Sequence, residues 1–275
     1  MLRQLLAACA VLTLGGCAAF YSPAQRVDAQ AQAGQFQPVP AFASTPVRGW
    51  LRQHAAAAAA APLTVYIEGD GAEWPSKFEP PRDPTPVNPL TLRLALRDPD
   101  ARVAYLGRPC QYLDRSALEQ CPATLWMHAR YGEYAVIMMS AAIDLLLLSA
   151  NAQRVRLVGY SGGGTMAALL AAQRTDVACL VAVASPLDTD AWTAAIAVSP
   201  LTVSLNPLTY APQLESLAQT HLAAGADTVV PAATLQRFIQ ALPQARVEVI
   251  DAFDHDCCWV HAWEKLRQRT CLNAG

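Results

Sequence analysis

The run Val155-Arg156-Leu157-Val158-Gly159-Tyr160-Ser161-Gly162-Gly163-Gly164 decides how this chain is read. Its opening residues are apolar apart from Arg156 and rich in valine, the composition of a short buried strand. The strand ends in Gly-x-Ser-x-Gly and passes directly into Thr165-Met166-Ala167-Ala168-Leu169-Leu170-Ala171-Ala172, an Ala-rich run of helix-forming sequence. Strand, sharp turn and helix in immediate succession put the serine at the apex, in a strained backbone conformation that needs small neighbours. Gly159 and Gly163 supply them. The hydroxyl is then held above the sheet edge beside a helix N-terminus, whose free N–H groups and dipole favour the negative charge that develops in acyl transfer. This context predicts Ser161 as a nucleophile, with a Gly-rich structural turn as the plainer alternative.

Such a serine needs a base and an orienting carboxylate, and on this kind of scaffold they follow it in the chain, acid first. The histidines after Ser161 are His221, His255 and His261. His221 lies in Gln219-Thr220-His221-Leu222-Ala223-Ala224-Gly225, which reads as strand and predicts a packed or hydrogen-bonded ring. His261 falls in the terminal amphipathic segment 259–272 and reads as an ordinary helix residue. His255 follows the strand-like Arg246-Val247-Glu248-Val249-Ile250, in the loop 251–257, where a side chain is mobile yet held at a strand's carboxyl end. It is the expected base; a capping or surface role is the alternative. Gly225-Ala226-Asp227-Thr228-Val229-Val230-Pro231 follows an apolar strand and precedes a new helix, so Asp227 is the expected acid, against an N-cap or turn aspartate. Asp188 and Asp190 are rivals, as are Asp254 and Asp256, which flank His255 too closely to orient its ring easily.

Together, Gly159-Tyr160-Ser161-Gly162-Gly163, Asp227 and His255 resemble the α/β-hydrolase superfamily over residues 60–272. The resemblance implies a serine hydrolase, with carboxylic ester hydrolysis through an acyl-enzyme on Ser161 as the first expectation. Thioester, lactone, amide and peptide substrates, and acyl transfer to an alcohol, share the same intermediate. It also implies an oxyanion site made by two backbone N–H groups. Gly162, next to the nucleophile, is the first. The second comes from the loop after an early strand, here Leu63-Thr64-Val65-Tyr66-Ile67, which runs into Glu68-Gly69-Asp70-Gly71. That segment keeps the glycines but has Glu68 where the familiar motif has histidine. Since the donor is a backbone amide, Asp70 is carried over as the second donor, with Gly69 or Gly71 as alternatives. No cofactor is implied. A function of a different class is a catalytically silent relative that binds an envelope component or partner through its cleft.

The rest of the chain fits one α/β domain with a mostly parallel central sheet and helices on both faces. Apolar runs at 63–67, 101–106, 155–158, 179–184, 221–224 and 246–250 alternate with helix-like segments at 90–96, 134–148, 165–174 and 232–242. Residues 36–43 and 47–51 are expected to add one or two edge strands, and the Ala-rich 55–61 a tolerated loop. A chain of 275 residues, 53% apolar, is ample for a single buried core, and its formal charge of −2 argues against a nucleic-acid partner or a strongly acidic substrate. Prolines cluster at 75–89 and 200–212, where ordered loops over the active-site face are expected. Trp74, Tyr112, Trp126 and Trp192 are aromatic candidates for pocket wall or core.

The first residues carry a separate message. Arg3 precedes the short apolar stretch 5–14, and Leu14-Gly15-Gly16-Cys17 closes it. This resembles a bacterial lipoprotein signal peptide at 1–16, which implies Cys17 as the lipid attachment site, residues 17–45 as lipidated cysteine and tether, and 46–275 as the catalytic domain. The apolar stretch is too short to span a bilayer. Ala18 lacks the aspartate of inner-membrane retention, so the expectation is an outer-membrane lipoprotein facing the periplasm, acting on a small-molecule or lipid ester. An ordinary cleaved signal leaving a secreted or periplasmic chain is the alternative. Export puts Cys110, Cys121, Cys179, Cys257, Cys258 and Cys271 in an oxidising compartment. Cys110 and Cys121 are the expected pair, a closure stabilising by roughly 2 to 3 kcal/mol. Cys271 is expected to join Cys257 or Cys258, and Cys179 to remain a buried thiol. A metal site at His255 and the vicinal cysteines has no paired Cys-x-x-Cys spacing behind it, so none is expected.

Overall fold

Among the described residues, eight strands build one sheet: β1 (Gln37–Pro38), β2 (Gly49–Gln53), β3 (Leu63–Ile67), β4 (Arg102–Leu106), β5 (Val155–Tyr160), β6 (Val177–Val183), β7 (Gln219–Ala224) and β8 (Arg246–Ile250). The structure is a computed structural model that describes residues 22–54, 61–72 and 79–273. The expected signal peptide, Cys17, most of the Ala-rich loop and Trp74 lie outside the described residues. The strand order is β1-β2-β4-β3-β5-β6-β7-β8. β1 and β2 form an antiparallel edge, and every pairing from β4 to β8 is parallel.

Strand β3 is buried at all five positions, as a strand covered on both faces must be. Alternation sorts side chains between the faces. Val65, Ala104, Leu157 and Leu180 meet the helices of one layer, while Tyr66, Tyr105, Val158 and Val181 meet those of the other. The first layer holds α4 (Glu133–Ala150), α5 (Gly162–Gln173), α7 (Ala211–Leu214) and α8 (Gln236–Ala241); the second holds α1 (Pro23–Ala33), α2 (Leu90–Ala95) and α9 (Trp259–Arg267). Two short helices, α3 (Arg115–Glu119) and α6 (Thr189–Ala195), lie in connections. By length and composition α4 is apolar enough to cross a membrane, yet Met139, Ile143 and Leu146 are buried against the sheet, so it is a core helix. In the second layer, Trp263 Nε1 donates to Tyr66 Oη at 3.1 Å, and Tyr66 Oη to Asp98 at 2.6 Å.

Residues 22–45 depart from the expected tether. Ser22 and Gln25 form a reciprocal capping box at the start of α1, Val27 and Ala31 bury one stripe, and Asp28 accepts from Trp50 Nε1 at 2.9 Å. Phe36 and Phe42 are fully buried. The Ala- and Gln-rich composition conceals an i, i+4 stripe that is enough to dock a helix on an existing face. Residues 22–45 are therefore packed on the folded domain.

The cysteines also depart in part. Cys110 and Cys121 are joined, as expected, with Cα atoms 6.0 Å apart. Cys271, however, joins Cys179, and Cys257 joins its neighbour Cys258. Cys179 is not a free thiol, and Cys271 meets neither vicinal cysteine. The reason is directional: α9 rises about 1.5 Å per residue away from the loop holding Cys257 and Cys258. It thereby delivers Cys271 to the start of β6, where its amide donates to Thr220 Oγ1 at 3.2 Å. These closures differ in size, with sequence separations of 92 and 11 residues. Replacing Cys179 and Cys271 together by alanine should cost about 4 to 5 kcal/mol of stability, against about 3 kcal/mol for the Cys110 and Cys121 pair, on the chain-entropy estimate. Urea unfolding of the two double variants checks the order; equal losses would contradict it.

Candidate active site

Ser161 stands between the last residue of β5 and the first of α5, with φ 50° and ψ −128°, a conformation that side chains rarely adopt. The turn is possible because backbone approaches backbone on both sides. A β-carbon added at Gly159 would lie 2.2 Å from the Gly163 carbonyl oxygen, and one at Gly163 would lie 2.2 Å from that of Ile67. The Ser161 amide donates to Val183 O at 2.8 Å, which ties the turn to the end of β6.

Two loops at the same carboxyl edge complete the line. After β7, Asp227 is fully buried; its Oδ1 accepts the amides of Val229 and Val230 at 2.8 and 2.7 Å. Its Oδ2 meets His255 Nδ1 at 2.8 Å, and His255 Nε2 lies 3.1 Å from Ser161 Oγ. A carboxylate only accepts, so Nδ1 carries the hydrogen and Nε2 turns a lone pair toward the serine hydroxyl. The loop after β8 is shaped by Asp254, whose Oδ1 accepts the amides of Asp256 and Cys257 at 3.0 and 2.7 Å. The His255 carbonyl accepts from Trp259 Nε1 at 2.8 Å and from Tyr160 Oη at 3.1 Å. Tyr160 also donates to Asp256 at 3.0 Å, and its ring lies 5.1 Å from the imidazole. Burial, together with Asp256, pushes the Tyr160 hydroxyl far above its usual pKa, so it serves as a fixed donor.

The segment after β3 passes alongside the serine: a β-carbon at Gly69 would lie 3.6 Å from Ser161 Cβ. The Gly69 amide is committed to Glu68 Oε1 at 2.9 Å, whereas among the described residues the Asp70 amide meets no acceptor. Gly162 opens α5, so its amide has no intrahelical partner. Among the described residues, the Gly162 and Asp70 amides therefore both remain without an acceptor. Glu68 itself is buried under the loop, accepting from Tyr105 Oη at 2.7 Å and Thr91 Oγ1 at 2.9 Å. Burial pushes its carboxyl pKa up against the opposing pull of these bonds. The Asp70 carboxylate receives Arg130 Nη1 at 2.9 Å, Arg108 Nη1 at 3.3 Å and Tyr131 Oη at 2.7 Å. Burial opposes its ionisation, but Arg130 and Arg108 outweigh it and hold the carboxyl below the ordinary range.

The rival carboxylates are engaged elsewhere. Asp188 caps α6 and pairs with Arg237, and Asp190 accepts from Asn206. Asp254 and Asp256 build the His255 loop. His261 is exposed on α9. Among the aromatic candidates, Tyr112 packs with Trp50 and Tyr105, Trp126 donates to Pro81 O, and Trp192 donates to Val229 O beside the Asp227 turn. No group of three or more acidic, histidine or cysteine side chains among the described residues is placed to hold a metal ion. Sequence reading missed Arg108, Arg130, Tyr131 and the supporting role of Tyr160. The first three reach Asp70 across 38 to 61 residues of chain, and no local pattern marks them. Tyr160 sits inside the Gly-x-Ser-x-Gly motif, at its variable position.

No protein-family model matches the chain, and no curated protein matches it. Solved structures do. Est1E from Butyrivibrio proteoclasticus superposes with a TM-score of 0.60 at 9% identity, covering 85% of this chain and 96% of that one. The Pyrococcus furiosus esterase Pf2001 gives 0.56 at 14% identity over 87% of this chain and 92% of its own. An alpha-beta serine hydrolase homologue from Coxiella burnetii gives 0.52 at 14% identity, with 83% and 92% covered. The likeness at these identities is one of fold: a single α/β domain with the sheet and helix layers of the α/β-hydrolases.

His221 is the remaining buried histidine, packed on Phe238 with its Nε2 2.9 Å from Gln219 Oε1. Burial pushes its pKa down from 6.5 to about 4. Below pH 6.5 the unfolded chain's imidazole takes up a proton that the folded one refuses, so stability is lost as pH falls from 6.5 toward 4. Glu68, raised by burial, acts with the opposite sign. Urea unfolding should therefore show wild type losing about 2 kcal/mol more than His221→Gln between pH 7 and pH 5. Parallel losses in the two proteins would contradict it.

Proposed function

We propose that this chain is a serine hydrolase that cleaves carboxylic esters through an acyl-enzyme on Ser161. One observation carries the reading: the continuous hydrogen-bonded line from Ser161 Oγ through His255 to the buried Asp227. In this scheme Ser161 Oγ attacks the ester carbonyl carbon while His255 Nε2 takes its proton. The carbonyl oxygen becomes an oxyanion between the amides of Gly162 and Asp70. His255 then gives the proton to the leaving alkoxide oxygen as the C–O bond breaks, and the acyl group stays on Ser161. Water repeats the cycle: His255 takes its proton, the hydroxide oxygen bonds to the acyl carbon, and the proton returns to Ser161 as the acid leaves. Asp227 stays ionised throughout, fixing the imidazole tautomer and stabilising the imidazolium.

Ester rather than amide is favoured by the esterase name of one fold neighbour and by two exposed valines near the Arg130 segment. Val198 and Val203 are exposed on the loop 196–206, which is tied to the Arg130 segment by Leu205 N to Tyr131 O and Ser204 Oγ to His128 O. We place the enzyme in the bacterial cell envelope, anchored by a lipid on Cys17 and facing the periplasm, where a small-molecule or lipid ester would reach it. The reading of residues 1–17 supports this, and three disulfides suit an oxidising compartment.

Full-length oxidised protein should label with a fluorophosphonate probe and hydrolyse p-nitrophenyl acetate. Ser161→Ala and His255→Ala should abolish labelling and reduce kcat by on the order of 10⁴-fold with the fold intact by circular dichroism. A folded wild type that does not label would leave a silent, ligand-binding α/β-hydrolase fold in place of the enzyme. Metabolic labelling with palmitate, lost in Cys17→Ser, tests the anchor.

A further inference from the structure

A negative side chain next to an oxyanion site works against it. Asp70 supplies the second proposed amide through its backbone, yet its side chain turns toward the first: a β-carbon built on Gly162 would lie 1.9 Å from Asp70 Oδ1 and 2.5 Å from Tyr131 Oη. Like charges about 5 Å apart at an effective dielectric near 20 correspond to on the order of a hundredfold in rate. An unmatched carboxylate here would oppose the very charge that the amides are placed to receive.

Two guanidiniums answer it. Arg130 and Arg108 bracket the two oxygens of Asp70 while Tyr131 donates to one of them, so two cations face one anion and the cluster is net positive by one charge. Arg108 also joins the two halves of the site. The Nη1 that faces Asp70 donates to the Gly162 carbonyl at 3.0 Å, Nη2 donates to the Arg130 carbonyl, and the guanidinium lies 5.2 Å from the Tyr131 ring centroid. Its side chain is 5% exposed, so solvent does not compete for these bonds. One rigid fork therefore fastens the 68–71 segment to the first peptide of α5.

On the basis of the serine hydrolase reading above, we propose that Arg108 and Arg130 are positioning residues. Together they cancel the Asp70 carboxylate and leave a net positive field, and Arg108 holds the Asp70 and Gly162 amides on one oxygen. A purely structural role would be read in stability. The proposed role is read in the transition state, and it makes the carboxylate harmful once an arginine is gone.

The test measures kcat, KM and the second-order rate of fluorophosphonate labelling for full-length Arg130→Gln, for Arg130→Gln combined with Asp70→Asn, and for Arg108→Lys, with thermal midpoints alongside. Arg130→Gln should lower kcat and labelling about 30- to 100-fold with KM within about twofold. Adding Asp70→Asn should restore kcat to within about tenfold of wild type by returning the cluster from neutral to a net +1, with Arg108 still in place. Arg108→Lys keeps the charge but loses the fork, and should fall about tenfold. If Arg108→Lys does not fold, the Arg130 and Asp70 variants decide. Wild-type kcat in Arg130→Gln, or a double variant no better than the single, overturns the proposal while wild-type labelling leaves the hydrolase reading standing. A wild type that does not label overturns both.

Discussion

Everything in this site hangs on one close approach of backbone to backbone. Gly163 lies against the carbonyls of Ile67 and Glu68, and Gly159 against the peptide of Gly163. These contacts let α5 begin directly over the ends of β3 and β5. Any side chain at either glycine would push the helix off the sheet and relax the Ser161 turn. Ser161 holds its positive φ because the helix, the Val183 carbonyl and the neighbouring strand over-determine it. The serine hydroxyl, the helix-end amide of Gly162 and the loop amide of Asp70 are therefore placed by the same packing event.

Charge is handled by burial and counter-charge in different proportions around that point. Asp227 is buried but satisfied by two amides and an imidazole, so it needs no cation. Asp70 is satisfied by two cations and a phenol. Glu68, a few ångströms of chain away, has hydroxyls and an amide but no cation, and burial drives it toward the neutral form. The three acids are thus held by three different kinds of partner.

Much of this was legible in the sequence, and physics says which part. The Ser161 turn is encoded within five residues, since the glycines and the serine must be adjacent for the geometry to exist. Asp227 and His255 were singled out because each follows a strand and few alternatives remain in the chain, and the structure brings both into one hydrogen-bonded line with Ser161. The parallel strands β3 to β7 announced themselves as largely apolar runs, because strands covered on both faces leave little room for polar residues, while the edge strand β8 keeps Arg246 and Glu248. Helix α1 was missed because its apolar stripe is only Val27 and Ala31, and docking rather than propensity makes it a helix. The partners of Cys271 and Asp70 were missed for a common reason. They are chosen by where elements end in space, and neither the run of α9 down the sheet nor the meeting of Arg108 with Asp70 leaves a local trace.

The bond between Cys179 and Cys271 has a topological consequence. It closes a covalent ring that contains Asp227 and His255, and Ser161 enters the ring through the chain leading to Cys179. A single cut anywhere inside the ring, including the exposed 196–206 loop, leaves one connected molecule that still carries all three groups. A protease that cuts this loop would therefore not release the strands and helix that hold Asp227 and His255.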